Sequence, residues 1–70
     1  MDYTTGDFIK NKKPYDGEGE YLVVGYTYFK NGDVQGYKCA MMKGKHCKKH
    51  DFDNHFIIHL SDEMSYKKVG

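Results

Sequence analysis

The stretch at residues 20–42, EYLVVGYTYFKNGDVQGYKCAMM, decides the fold of this chain. Asn31-Gly32 divides it into two runs that are rich in β-branched and aromatic residues, which favour strands. Asn-Gly is the preferred dipeptide of a two-residue type I′ turn, because both central residues need a positive φ. The stretch therefore predicts one long β-hairpin with Asn31-Gly32 at its tip.

The register of this hairpin predicts which of its faces is core. Counting outward from the tip pairs Tyr26 with Tyr37 and Leu22 with Met41, and successive side chains alternate between the two faces. The more continuous apolar face is predicted to be core, and it comprises Leu22, Val24, Tyr26, Tyr28, Tyr37, Cys39 and Met41. The opposite face is still half apolar, so we expect barrel closure or a partner to cover part of it.

The flanking segments predict three further strands around the hairpin. A turn and a short strand are expected in residues 5–10, and polar loops in residues 11–19 and 43–54, with a short helix at residues 45–52 as an alternative. Residues 55–60 alternate and predict a fourth strand, with Phe56, Ile58 and Leu60 buried and with His55 and His59 on the opposite face. Residues 61–63 predict a turn or the start of a helical turn, and residues 64–69 a short fifth strand.

The opening Gly6-Asp7-Phe8-Ile9 resembles the start of many small SH3-like barrels, where a Gly-Asp-hydrophobic-hydrophobic step enters the first strand. Gly25 and Gly36, inside the hairpin strands, are typical of positions where a sheet bends sharply. The predicted fold class is therefore all-β: residues 1–70 form a single small domain, a five-stranded SH3-like or related half-open barrel built on the long central hairpin. The resemblance implies binding rather than one particular activity, since SH3-like barrels carry many functions. The chain has no tryptophan, which argues against recognition of polyproline peptides.

Composition narrows the classes of function. The net charge of +1 argues against strong capture of nucleic acid, and all eleven basic residues are lysines, whereas specific reading of bases favours arginine. Lys, Asn, Tyr and Ile have AT-rich codons and Arg mostly does not, and this chain has eleven Lys, seven Tyr and no Arg. That bias is typical of a low-GC genome, so we expect a small phage or mobile-element accessory protein. The absence of a signal-peptide pattern and of an apolar run of ~20 residues predicts a cytoplasmic protein with no membrane contact.

The first functional hypothesis is therefore a non-enzymatic binding module that contacts a protein partner or forms a homodimer. The contact surface is expected on the second hairpin face, around Phe29, Val34, Val23 and Met42. No cofactor is expected, and 70 residues leave little room for a substrate pocket, which argues against an enzyme.

Two alternative sites lie in the polar loops. Weak, sequence-nonspecific nucleic-acid binding would use the lysines that a meander brings to one end of the sheet, namely Lys12, Lys13, Lys43, Lys45, Lys48 and Lys49. A zinc-stabilised mini-domain would use Cys47 and His50, which form a workable chelate, together with His46. The sequence does not identify the partner or the oligomeric state.

Overall fold

The computed structural model describes residues 1–42, 44 and 55–69. Five antiparallel strands form one sheet: β1 (Phe8–Asn11), β2 (Tyr21–Tyr28), β3 (Val34–Met41), β4 (His55–His59) and β5 (Tyr66–Lys68). A short 3-10 helix (Leu60–Ser65) links β4 to β5. The strand order is β4-β3-β2-β1-β5, so the last strand returns to pair with the first. The predicted all-β class is confirmed, but strand pairing does not close the described sheet, and β4 and β5 form its two edges.

The predicted strands outside the hairpin are present, and the segment after β4 is helical. The turn at residues 5–6 precedes β1, with Gly6 at a φ of +98°. Of the two possibilities for residues 61–63, the structure has the helical turn, which leaves only three residues for β5. The alternative helix at residues 45–52 lies outside the described residues.

The predicted hairpin is confirmed, but its tip is a three-residue loop. The Gly32 N–H donates to the Phe29 carbonyl (3.0 Å), and the Phe29 N–H donates to the Asp33 carbonyl (2.8 Å). Gly32 has a φ of +94°, and these bonds enclose Lys30, Asn31 and Gly32. This is the pattern of a three-residue hairpin loop with a left-handed last residue. The two-residue type I′ turn is therefore wrong, although the position of the tip is right.

One β-bulge changes which side chains of β2 face the core. Val23 pairs with Cys39 and Gly25 with Lys38, so that Val24 is the extra residue. The predicted pair of Tyr26 with Tyr37 is confirmed, but every pair before the bulge is displaced by one residue. Because side chains alternate along a strand, a displacement of one residue moves them to the other face.

The core therefore contains residues that the simple alternation placed outside. Its buried members are Tyr3, Ile9, Tyr21, Val23, Tyr37, Cys39, Met41 and Ile58. Burial of Cys39, Met41 and Ile58 and exposure of His55 and His59 are confirmed. The prediction that Leu22 and Val24 are core residues is wrong: both are half-buried, because the bulge places Tyr21 and Val23 inside instead.

The fourth strand is oriented as predicted but is less buried. Leu60 is half-buried against the core. Phe56 is exposed, although its ring meets the edge of the Tyr21 ring at a centroid distance of 5.8 Å. Phe56 and Ile58 share the core side of this edge strand, but only Ile58 packs into the buried core.

A buried tyrosine ties the N-terminal segment to the 3-10 helix. The Tyr37 hydroxyl donates to Glu63 Oε2 (2.7 Å) and accepts from the N–H groups of Asp2 (3.1 Å) and Tyr3 (3.3 Å). The Tyr3 ring packs edge-on against the Tyr37 ring, with centroids 5.3 Å apart. Burial, followed by the hydrogen bond to Glu63, raises the pKa of Tyr37 to about 12. The hydroxyl is therefore neutral and fully engaged at physiological pH.

Candidate functional site

The face of the sheet opposite the core, which we call the outer face, carries a continuous apolar row. Phe8 pairs with Leu22, and Leu22 pairs with Ala40, so their side chains share this face. Val69 continues the row beyond β1, because its N–H donates to the Phe8 carbonyl (2.8 Å). Phe8 remains 38% exposed, whereas Ala40 is fully buried. The row thus crosses most of the sheet and has accessible apolar area.

A second group of residues extends this row towards β4. Val24 and Gly25 lie together opposite Lys38 at the bulge, and Lys38 pairs with Ile57 on its other side. Val24 is half-buried and Ile57 is 51% exposed. Contiguous exposed apolar patches on small proteins often mark contact surfaces, so this face is a candidate for one.

The sequence contains a signal for this face that simple alternation overlooks. Each of the first four strands contains two consecutive apolar residues, one for each side of the sheet. These pairs are Phe8-Ile9, Leu22-Val23, Ala40-Met41 and Ile57-Ile58, and in each pair one residue is buried in the core and its neighbour lies on the outer face. An apolar pair inside a short strand therefore indicates a sheet with two apolar faces.

Positive charge surrounds the apolar row. Lys10 and Lys67 are directly opposite one another across β1 and β5, and both are exposed. Lys38 stands on β3 between the bulge and Ile57. Like charges that face each other across a strand pair destabilise a sheet, so the Lys10–Lys67 pair opposes the pairing of β1 with β5.

The structure separates the four residues predicted to contact a partner. Phe29 is 52% exposed at the hairpin tip, next to Tyr28 at 59%. Val34 is half-buried and pairs with Tyr28, whereas Phe29 is bonded to Asp33. Counting outward from a two-residue tip would pair Phe29 with Val34, so that register is wrong at the tip. A second register shift, between Thr27 and Tyr28, accounts for the change.

The remaining two predicted contact residues differ from each other. Val23 is completely buried in the core, so its placement on the accessible face is wrong, and the bulge at Val24 is the reason. Met42 is half-buried immediately after β3, where its N–H donates to the Glu20 carbonyl (2.9 Å). On the outer face, accessible apolar area comes from Phe8, Leu22, Val24 and Ile57 rather than from Val23.

The two polar loops meet, as the meander predicted. Glu18 and Gly44 form an isolated antiparallel bridge, which joins the segment before β2 to the segment after β3. The Tyr21 hydroxyl donates to Glu18 Oε2 (2.6 Å), and burial followed by this bond raises the pKa of Tyr21. Lys12 and Lys13 are exposed at the end of β1. The other predicted anion-binding residues, Lys43, Lys45, Lys48 and Lys49, lie outside the described residues.

The predicted zinc ligands Cys47, His50 and His46 also lie outside the described part of the chain. Among residues 1–42, 44 and 55–69, no group of three or more His, Cys, Asp or Glu side chains could hold a metal ion. The described thiol, Cys39, is fully buried, and burial raises its pKa to about 11. A protonated thiol without solvent access is a packing group rather than a nucleophile.

No protein-family model, curated protein or solved structure matches this chain. In the described ranges, no helix has both the length and the apolar character needed to cross a membrane.

Proposed function

We propose that this chain is a non-enzymatic binding module that holds a protein partner on the outer face of its sheet. The observation that carries the proposal is the apolar row of Val69, Phe8, Leu22 and Ala40, extended by Ile57. Complete burial of a fully exposed Phe or Ile side chain contributes about 1.5–3 kcal/mol, and Phe8 and Ile57 retain 38% and 51% of their exposure. Each could therefore contribute roughly a third to a half of that value to a contact.

The charges around the row define the chemistry of the partner. Lys10, Lys38 and Lys67 favour a surface whose centre is apolar and whose margin carries carboxylates. Complementary charges speed association and select among partners, while the apolar centre supplies most of the affinity. The lysine-only basic composition, typical of a low-GC genome, supports a small phage or mobile-element accessory protein that acts by protein–protein interaction.

We further propose that the fold is an SH3-like barrel in its half-open form. The support is the order β4-β3-β2-β1-β5, in which the fifth strand returns to the first, together with the 3-10 helix between β4 and β5. The opening Gly6-Asp7-Phe8-Ile9 leads into β1, as in the small SH3-like barrels that it resembles. This assignment is compatible with protein binding but does not select it, because function depends on the site.

The test is affinity capture from a host extract with three forms of the tagged protein, followed by mass spectrometry. Phe8→Glu places a charge in the centre of the apolar row, and Met64→Glu is the matched control because Met64 is 83% exposed on the 3-10 helix. We expect the same partner with the wild type and with Met64→Glu, and its loss with Phe8→Glu at an unchanged melting temperature. Equal capture by all three forms would exclude the outer face.

A second candidate, weak binding of a nucleic-acid backbone, is favoured by one observation. The exposed Lys10–Lys67 pair places two cations side by side, and the exposed Lys12 and Lys13 follow the end of β1. Lysines hold phosphates as point charges without reading bases, so binding would be nonspecific and weakened by salt.

A double variant separates this candidate from the first. Lys10→Gln with Lys67→Gln removes the facing cations, and Lys30→Gln at the hairpin tip is the control. If the backbone of RNA or DNA is the ligand, fluorescence anisotropy should show binding that falls with salt and falls further in the double variant alone. Absence of binding at low salt would eliminate this candidate and leave the first unaffected.

A further inference from the structure

We propose that the edge of β4 that faces away from β3 pairs with β4 of a second copy of this chain, antiparallel about a two-fold axis at Ile57. The pairing joins two five-stranded sheets into one of ten strands. This inference goes beyond the proposed function and does not depend on it, because it uses the backbone edge of β4 rather than the outer face.

The two edges of the sheet differ in how they are protected. β5 is three residues long and carries Lys67 and Lys68, and short, lysine-bearing strands resist unwanted pairing. β4 is five residues long, His-Phe-Ile-Ile-His, with no lysine, carboxylate, glycine or proline. Its register with β3 is regular along all five pairs, without a bulge that would twist the edge away. In the part of the chain that the structure describes, β4 pairs with β3 alone.

The exposed side chains of β4 increase its tendency to pair. Phe56 is exposed on the core side of the sheet, and Ile57 on the outer side. A regular, apolar edge strand with both sides accessible is the geometry in which backbone N–H and C=O groups recruit another strand. In the pair, Phe56 and Ile57 of each chain would each gain an apolar neighbour from the other chain.

The sequence of β4 favours a second copy over an unrelated strand, because it is nearly palindromic. A two-fold axis at Ile57 places Ile57 opposite its own equivalent, Phe56 opposite Ile58 and His55 opposite His59. Apolar side chains therefore meet apolar side chains on both faces, and histidine meets histidine at each end. On this axis the two copies of Ile57 can form either a hydrogen-bonded pair or a non-hydrogen-bonded pair. The first arrangement gives about six inter-chain backbone hydrogen bonds and the second about four.

Pairing also makes the two outer faces continuous. Ile57 lies opposite Lys38 on β3, beside the row that contains Ala40 and Leu22. In the pair, the two copies of Ile57 meet at the centre of the joined sheet. The apolar rows of both chains then lie on one surface. A five-residue edge is a small interface, so a reversible dimer is expected rather than an obligate one.

The test uses two opposite charges at the position on the axis. Ile57→Glu places a carboxylate opposite Lys38 within each chain, where it gains an opposite-charge neighbour, but across the axis it meets its own equivalent. Ile57→Lys likewise meets its own equivalent. Sedimentation velocity over a concentration series should show a monomer–dimer equilibrium for the wild type. Each variant alone should have a dissociation constant raised at least about tenfold.

Mixing the two variants distinguishes lost pairing from lost folding. Glu on one chain and Lys on the other become opposite charges on the axis, so the mixture should dimerise again while each variant alone does not. Phe8→Glu serves as the control, since Phe8 lies on β1, separated from β4 by two strands. It should leave the dimer unchanged even if it abolishes capture of another protein.

Three results would overturn the inference. The first is a wild type that remains monomeric up to about millimolar concentration. The second is a mixture of folded Ile57→Glu and Ile57→Lys that does not associate, because Ile57 then does not lie on the axis. The third is a dimer that Phe8→Glu disrupts as strongly as Ile57→Glu does, because the contact would then be between outer faces.

Discussion

Gly36 should be irreplaceable, because the backbone of β4 occupies the space that a side chain would need. A Cβ built at Gly36 would overlap the Ile58 carbonyl oxygen and lie 2.9 Å from the His59 Cα and 3.0 Å from the Ile58 carbonyl carbon. These atoms belong to the backbone of a paired strand, so they cannot move aside as a flexible side chain would. Gly36→Ala must therefore push β4 away from β3 or distort β3 itself.

The magnitude follows from the cost of overpacking. Extra methyl groups forced against a packed region typically cost 1–3 kcal/mol, and a clash with backbone belongs at the upper end. We expect Gly36→Ala to lower the free energy of unfolding by about 2–3 kcal/mol. A 70-residue domain has only about 4–10 kcal/mol in total, and each kcal/mol shifts Tm by about 4–8 °C at this size.

Gly25→Ala is the matched control for this substitution. Gly25 also lies inside the hairpin. Among the described residues other than its two chain neighbours, no atom lies within 4 Å of the position of its Cβ, and its φ is not in the left-handed region. Its free energy of unfolding should stay the same or rise by up to about 1 kcal/mol, because alanine restricts the unfolded chain. Urea unfolding followed by circular dichroism gives both values. Surface substitutions usually change the free energy of unfolding by less than about 0.5 kcal/mol. If Gly36→Ala changes it by no more than that, the predicted clash with β4 does not occur.

Three further outcomes are expected. Gly32→Val should cost about 1 kcal/mol or more in urea unfolding, because a β-branched residue resists a φ of +94°, whereas Gly32→Asn should cost clearly less; equal costs would contradict the loop geometry. The pKa of Tyr37 is raised to about 12, so the folded state holds the hydroxyl proton more tightly than the unfolded state does. The stability that this shift contributes is complete below about pH 10 and is lost as the pH rises towards 12. Tyr37→Phe should cost about 1–3 kcal/mol at pH 7, because it leaves Glu63 and two backbone N–H groups without this partner, and it should flatten the alkaline decline measured by urea unfolding. The Cys39 thiol, buried and with a pKa of about 11, should resist iodoacetamide at pH 8 in the native protein and react on unfolding, as peptide mapping will show; rapid alkylation without unfolding would contradict its burial.

The elements near in sequence were predictable because they depend on local chemistry. The hairpin with its tip near Asn31-Gly32, the turn before β1, and the alternation that places Ile58 inside and His55 and His59 outside all follow from short stretches of chain. These three features require only turn preferences and the two-residue period of a strand, and neither of these two properties depends on residues distant in the chain.

The candidate site was predicted only in part, because it depends on register over many residues. Met42 and Phe29 lie where solvent can reach them, but Val23 does not, and Ile57 and Phe8 were not recognised as surface anchors. The inserted residue at Val24 accounts for the burial of Val23, since it reverses the facing of every side chain of β2 that precedes it. Phe8 and Ile57 lie on β1 and β4, where the long-range pairing of the strands decides which face stays accessible.

By itself, the sequence determined an all-β chain, the position of the central hairpin and the strands around it. Strand propensity and turn chemistry act over a few residues, so composition and spacing were sufficient for these features. Only the tertiary structure decided the bulge at Val24, the return of β5 to β1 and the link from Tyr37 to Glu63. Each of these brings together groups far apart in the chain, and their energies come from packing Tyr21 and Val23 into one core and from satisfying a buried hydroxyl. Such long-range terms select one register among several that local preferences allow equally.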